Sequence, residues 1–179
     1  SKMCRECGSR EDNTPETPTS VILPVLNGIQ DLERSIENNM NDHINIHCGS
    51  CNKVTEHARS GKFVFLPQTL VIGFNRFEQN GRTFKKKHSK VQLPLELDVT
   101  GNTVCRYSLR VCALHHGQST HSGHYTATIF NNGRVIEIDD HVVKDITENW
   151  VHQVQSTVHL AFTPKNTRYS IIQSKKRLL

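Results

Sequence analysis

LHHGQSTHSGHYTATIFNNGRVIEIDD, residues 114–140, is the densest chemical signal in the chain. Asn132-Gly133 falls between two apolar runs, and Asn-Gly in that setting is the strongest short hairpin cue, because both central residues of the favoured turn need positive φ. With those two residues as the turn, Asn131 opposes Arg134, Thr126 opposes Asp139 and His124 opposes His141. Directly paired positions share a sheet face, so His124 and Asp139 become diagonal neighbours, roughly 7–8 Å apart at the backbone and within side-chain reach. Asp140 points the other way, and a one-residue slip would exchange the two aspartates. A carboxylate beside an imidazole fixes its tautomer and leaves the second nitrogen free to take a proton from a nucleophile. Ser122 and Gly123 leave room for an extended chain beside His124. His115, His116 and His121 read as loop histidines, since nothing near them completes a metal set.

Outward from this hairpin the signal is mostly β. Tyr107, Leu109, Val111 and Ala113 alternate with polar or smaller residues, the period of a half-buried strand, and residues 158–162 repeat it. Residues 63–66 and 70–77 are strand-like on either side of Pro67, and the basic stretch 78–90 reads as a loop or hairpin. A short helix is expected over 145–154, and beyond Pro164 lies a basic segment without periodicity. Toward the N terminus, residues 11–20 form a polar connector with two prolines, 21–26 an apolar strand, and Leu32, Ile36 and Met40 the buried stripe of a short amphipathic helix.

Four of the six cysteines fall into two pairs, Cys4-x-x-Cys7 and Cys48-x-x-Cys51, with forty residues between the pairs. Each C-x-x-C turn can aim two thiolates at one cation about 2.3 Å away, and two turns complete a tetrahedral Zn2+ site. The intervening strand and helix then form an insertion anchored by the metal. The other assignment, buried thiols or disulfides, fits less well, because adjacent cysteines in such turns rarely serve as a disulfide scaffold inside cells. Intact thiolates point to a reducing compartment, cytoplasmic or nuclear.

Composition limits the alternatives. At 179 residues, 35% hydrophobic and 22% charged, the chain is of ordinary size for one globular domain. Its net charge of +5 gathers in Lys85-Lys86-Lys87 and Lys175-Lys176-Arg177, runs without the interleaved aromatics of a base-stacking platform, so no nucleic-acid partner is expected. No apolar run approaches the roughly 18 residues of a membrane span and the first ten residues are unlike a secretory signal, so no membrane partner is expected either.

Taken together, residues 4–162 resemble the ubiquitin-specific protease family of deubiquitinases. The paired C-x-x-C turns resemble its zinc-bearing fingers, and LPQTLVIGFNRF (residues 66–77) resembles its LP-x-x-L…RF strand. Ser122-Gly123-His124-Tyr125 with Asp139-Asp140 is similar to its histidine box, and residues 158–162 to its closing strand. The resemblance implies an α+β, papain-like cysteine protease fold, represented by its C-terminal part: a mostly antiparallel β palm (about 61–163), zinc-bearing β fingers (about 1–60), few short helices, and a basic tail (164–179). It implies a ubiquitin hydrolase with His124 as general base, Asp139 as its orienter, Asp140 as an auxiliary polar residue and a structural zinc. Loops near 78–90 and 115–122 would border the ubiquitin tail. Asn75 stands where the family usually has lysine, and Val135 and Ile138 replace common aromatics. The family's cysteine box has no counterpart: Gly101-Asn102-Thr103-Val104-Cys105 imitates it, but precedes a strand where a nucleophile would gain from a helix N-terminus, and Cys112 is no better placed. Two functions follow, a deubiquitinating cysteine protease of which this is the base-bearing part, or an inactive zinc-anchored ubiquitin-binding scaffold.

Overall fold

The computed structural model describes residues 1–14, 20–119 and 122–165. Most of the polar connector, His121 and the basic segment beyond Lys165 lie outside the described residues. β1 (Lys2–Cys4) and β2 (Arg10–Glu11) flank the first cysteine turn, and β3 (Val21–Pro24) and β4 (Gln30–Asp31) lead into helix α1 (Leu32–Met40). β5 (Asn41–Cys48) and β6 (Lys53–Ser60) form a long hairpin around the second cysteine turn. Then come β7 (Thr69–Asn75), β8 (Phe77–Asn80), β9 (Thr83–Lys86), β10 (Val91–Gln92), β11 (Glu96–Thr100), β12 (Val104–Ser108) and β13 (Val111–His116). β14 (His124–Asn131), β15 (Arg134–Asp139), β16 (Val142–Asp145), α2 (Trp150–Thr157) and β17 (Val158–Pro164) complete the order.

Two sheets organise these elements. A seven-stranded sheet runs β16-β15-β14-β13-β17-β7-β3, antiparallel except where β3 joins β7, and a four-stranded antiparallel sheet runs β2-β1-β6-β5. The pairs β11–β12, β8–β9 and β4–β10 stand beside them. Helix α1 forms where expected: Asp31 caps it by accepting from the Arg34 amide at 2.9 Å, and Leu32 and Ile36 are buried. Leu23, Ile72, Phe74, Leu97, Tyr107 and Leu114 form the centre of the core.

Several sequence expectations shift. Residues 63–66 form no strand; only Phe63 bridges to Gly101, while Leu66 is buried. The strand expected over 107–113 is two, β12 and β13, with Leu109 and Arg110 bonding instead to Leu95 and Phe162 carbonyls. Burial changes phase at that break: Cys105, Tyr107 and Leu109 are inward before it, Cys112 and Leu114 after it. The helix expected over 145–154 begins later, at Trp150, because Asp145 ends strand β16 and its carboxylate accepts from the Thr147 amide and hydroxyl and from Arg134. β16 itself was invisible, since all four of its residues are exposed and carry no alternation.

The run 70–77 also breaks, at Arg76, which is fully buried. Among the described residues its guanidinium meets no carboxylate. It donates instead to four carbonyls, those of Val158 at 2.6 Å, Gln155 at 2.8 Å, Ser89 at 2.9 Å and Lys87 at 3.2 Å. Burial lowers its pKa to about 10, still cationic at neutral pH. Replacing Arg76 with Ala should destabilise the chain by about 3 kcal/mol or more, because four carbonyls, that of Val158 buried and the other three partly buried, lose their donor at once. Arg76→Lys should recover only a small part, since a single ammonium cannot reproduce the planar fork. Urea denaturation of the three proteins measures it; an Arg76→Lys variant as stable as the parent would refute the fork argument.

Candidate active site and cysteine cluster

The two cysteine turns fold alike. The Gly8 amide donates to the Cys4 carbonyl at 3.0 Å and the Asn52 amide to the Cys48 carbonyl at 2.8 Å. Gly8 (φ 72°) and Asn52 (φ 55°) take the left-handed conformation in which the chain leaves each turn. Cys4 sits at the end of β1 and Cys48 at the end of β5, and β6 lies between those strands, so the sheet register brings the two turns together. All four sulfurs lie within 4.8 Å of one another. Cys4 Sγ and Cys51 Sγ are 3.8 Å apart, and Cys7 Sγ and Cys48 Sγ 3.7 Å. Four sulfurs each about 2.3 Å from a tetrahedral centre must lie about 3.8 Å apart, whereas a disulfide requires about 2.05 Å. The cluster can therefore hold a metal ion without rearrangement. The Cys51 amide points at Cys48 Sγ (3.4 Å) and the Thr55 hydroxyl at Cys4 Sγ (3.3 Å), both donors suited to thiolate. Thr55 is the main reason that the Cys4 pKa falls to about 6, while hydrogen bonding with Cys7 raises that of Cys51.

The second group of residues comes from the hairpin. Asn132 (φ 48°) and Gly133 (φ 81°) make the turn, and the ladder runs from Asn131↔Arg134 to Ala127↔Ile138. Phe130, Thr128 and Thr126 are buried on one face, Phe130 edge-on against Trp150 of α2 (centroids 5.1 Å). His124 and Asp139 belong to the same face, beyond the part that α2 covers. His124 Nε2 lies 2.5 Å from Asp139 Oδ1, with the two side chains 49% and 40% exposed. This bond raises the His124 pKa above 6.5 and is the main cause of the lowered Asp139 pKa.

Asp140 departs from the expectation that it points away. Its φ is 51°, and with His141 it makes a tight turn into β16, where Asp139 pairs with Val142. The alternation of a strand thus stops at Asp139. The Asp140 carboxylate stays within 4.8 Å of the His124 and Asp139 ligand atoms, and its charge adds to the rise at His124. His141, in that turn, is not the ladder partner of His124. The cross-strand neighbour of His124 is His116, with ring centroids 6.5 Å apart.

His115 and His116 are strand residues, not loop residues, because β13 extends through them. His116 Nε2 pairs with the Thr126 hydroxyl at 2.9 Å, and burial lowers its pKa. His115 is buried and meets the buried Lys86 ammonium, Nδ1 to Nζ 3.1 Å. Lys86 was hidden in the sequence by its basic neighbours, which suggest a solvated run. Cys112 pairs with Thr128, four positions along β14 from His124 and so about 13 Å away at the backbone. Burial pushes its thiol up to about 12. Cys105 is buried within β12, paired with Val99, and begins no helix.

The ubiquitin carboxyl-terminal hydrolase family model matches residues 4–170. The chain belongs to this family. Ubiquitin carboxyl-terminal hydrolase 10 of Saccharomyces cerevisiae is 27% identical over 136 residues, covering 71% of this chain and 17% of the relative. Ubiquitin carboxyl-terminal hydrolase 3 of Mus musculus is 26% identical over 159 residues, 83% of this chain and 30% of the relative. Among solved structures, a chain of the SAGA Ubp8/Sgf11/Sus1/Sgf73 DUB module bound to ubiquitin aldehyde aligns with TM-score 0.72 at 20% identity, over 93% of this chain and 40% of that one. The chain thus shares the ubiquitin-specific protease fold, here mostly β with two helices, and spans less than a third of the length of these two curated relatives. Among its described residues, no helix is long and apolar enough to cross a membrane.

The His124–Asp139 pair gives the chain a pH signature. Asp139, lowered below 3.8, contributes stability that is present above that value and lost as pH falls through its own pKa. His124, raised above 6.5, contributes stability that is present below 6.5 and lost as pH rises through its own pKa. Asp139→Asn should therefore destabilise most between pH 3.8 and 6.5 and converge with the parent above the His124 pKa. NMR titration should find His124 returned toward 6.5 in that variant; an unmoved His124 would contradict the pairing.

Proposed function

We propose that this chain is the base-bearing part of a cysteine-type deubiquitinase, which hydrolyses isopeptide bonds at the ubiquitin C terminus. The observation that carries the proposal is the His124–Asp139 bond, in a chain of the ubiquitin carboxyl-terminal hydrolase family. Because Nε2 is engaged by Asp139, Nδ1 is the nitrogen left to receive a thiol proton. The thiolate so formed attacks the carbonyl carbon of the scissile bond. The imidazolium then gives its proton to the departing lysine amine, and in the second half-reaction the imidazole takes a proton from the water that releases ubiquitin. Asp139 fixes the tautomer and stabilises the imidazolium, and Asp140 adds negative charge beside it. Neither Cys105 nor Cys112 is placed to supply the thiolate, so the nucleophile belongs to another segment of the catalytic domain.

Cys4, Cys7, Cys48 and Cys51 are the residues that would hold a structural Zn2+, which would supply rigidity to the four-stranded sheet β2-β1-β6-β5 and no chemistry to the palm; β3 and α1, within the expected finger span of about 1–60, pack instead with the larger sheet and its core. Zinc-bound thiolates would need a reducing compartment, which supports a cytoplasmic or nuclear location. The β8–β9 hairpin and the connection from β13 to β14 would border the ubiquitin tail. A second reading, a zinc-anchored ubiquitin-binding scaffold, draws on the same burial of Cys105 and Cys112, since such a chain acting alone would bind without cleaving.

Zinc should be found at one atom per chain, and Cys48→Ser should lower both metal content and thermal stability, because metal binding is coupled to folding. Metal-free protein of unchanged stability would end the zinc assignment. A ubiquitin probe with a thiol-reactive C terminus should bind the isolated chain weakly and label nothing. Labelling that disappears in Cys105→Ser would make Cys105 the nucleophile. Adding the cysteine-bearing segment should restore cleavage; cleavage without it would show that the chain is complete in itself.

A further inference from the structure

Behind His124 lies a polar contact that the proposed chemistry does not use. Lys86 ends β9, and it is only 3% exposed, meeting no carboxylate among the described residues. Its ammonium donates to the His115 carbonyl and lies 3.1 Å from His115 Nδ1. An ammonium has no lone pair, so it must donate to Nδ1 too. His115 is thereby held as the neutral tautomer with its proton on Nε2. Its ring is enclosed by Tyr125 (centroids 4.8 Å), Phe77 (5.8 Å) and His159 (6.4 Å).

The free edge of that ring faces the two glycines that bound the connection into β14. A Cβ built on Gly123 would stand 2.1 Å from His115 Nε2, and one on Gly117 2.9 Å from Gly123 Cα. The backbone immediately before His124 is therefore seated against the His115 imidazole. We propose that Lys86 and His115 are positioning residues for His124: the ammonium sets the His115 tautomer and orientation, and the ring fixes where the chain enters β14, so that His124 meets Asp139. This assignment rests on His124 being the general base. The groups charged toward His115 are Lys86, His159 and His116, all of which lower its pKa after burial, in keeping with a neutral ring. Arg76 does the same to Lys86.

The test uses the chain itself and needs no turnover. Long-range proton–nitrogen NMR should show His115 with Nδ1 unprotonated in the parent, and a tautomer mixture in Lys86→Met. In the same variant, and in His115→Ala, the His124 pKa should fall back toward 6.5, the change expected also for Asp139→Asn. His115→Gln, which keeps an acceptor for Lys86 and a polar edge for Gly123, should retain the raised value. Far-UV circular dichroism and metal content identify variants that fold. If Lys86→Met does not, the Ala and Gln variants at 115 decide. A raised His124 pKa in folded His115→Ala overturns the proposal, and so does equal loss in the Ala and Gln variants, which would indicate packing alone. The deubiquitinase reading fails separately: a complemented catalytic domain that does not turn over would leave these NMR results unchanged.

Discussion

A buried guanidinium without an acid partner is the constraint on which the larger sheet depends. Taking a charge out of water is costly unless it is well hydrogen-bonded, and four of the five Arg76 N–H donors reach carbonyl oxygens. Two of these, from Gln155 and Val158, belong to the C-terminal end of α2, where the last carbonyls lack helical partners and the helix dipole is negative. The helix end and the arginine therefore solve each other's problem. The bonds tie the β7–β8 junction to the β9–β10 connection and to the start of β17, the last of these distant in sequence from the other two. Arginine serves where lysine would not, because its planar fork reaches several acceptors in fixed directions.

That constraint extends to the site. Holding the β9–β10 connection keeps Lys86 at the end of β9 under the sheet, near enough for Arg76 to weaken its proton affinity. Lys86 in turn touches His115, whose ring lies against Gly123. From the other side, the Asn132-Gly133 turn fixes which aspartate shares a face with His124. Two independent devices thus meet at one imidazole: a strand register that brings the carboxylate, and a buried cation that bears on the backbone before the histidine.

Much of this was legible in the sequence because it rests on local chemistry. Asn-Gly has few alternatives to a tight turn, so the register followed, and with it the His124–Asp139 contact. Two C-x-x-C turns likewise define a four-sulfur cluster before any sheet is known. What could not be read depended on tertiary company. Asp140 can adopt positive φ without a glycine, so the turn at Asp140-His141 left no signal and the strand was extended too far. Arg76 and Lys86 look like ordinary surface cations until the carbonyls around them are known. The break at Leu109 was hidden because both sides of it alternate, and only the change of buried phase from Tyr107 to Cys112 reveals it.

The exposure of the site bears on what that organisation is for. An ion pair as open as His124 and Asp139 contributes little to folding, since water and salt screen it and two side chains lose freedom to make it. Stability therefore does not account for the investment of register, glycine and buried cation behind it. A base must offer its free nitrogen at one place and in one tautomer before a nucleophile arrives, and an exposed pair held only by its own attraction would not do so. The rigid elements beneath the imidazole supply that order, while the pair itself stays open to solvent.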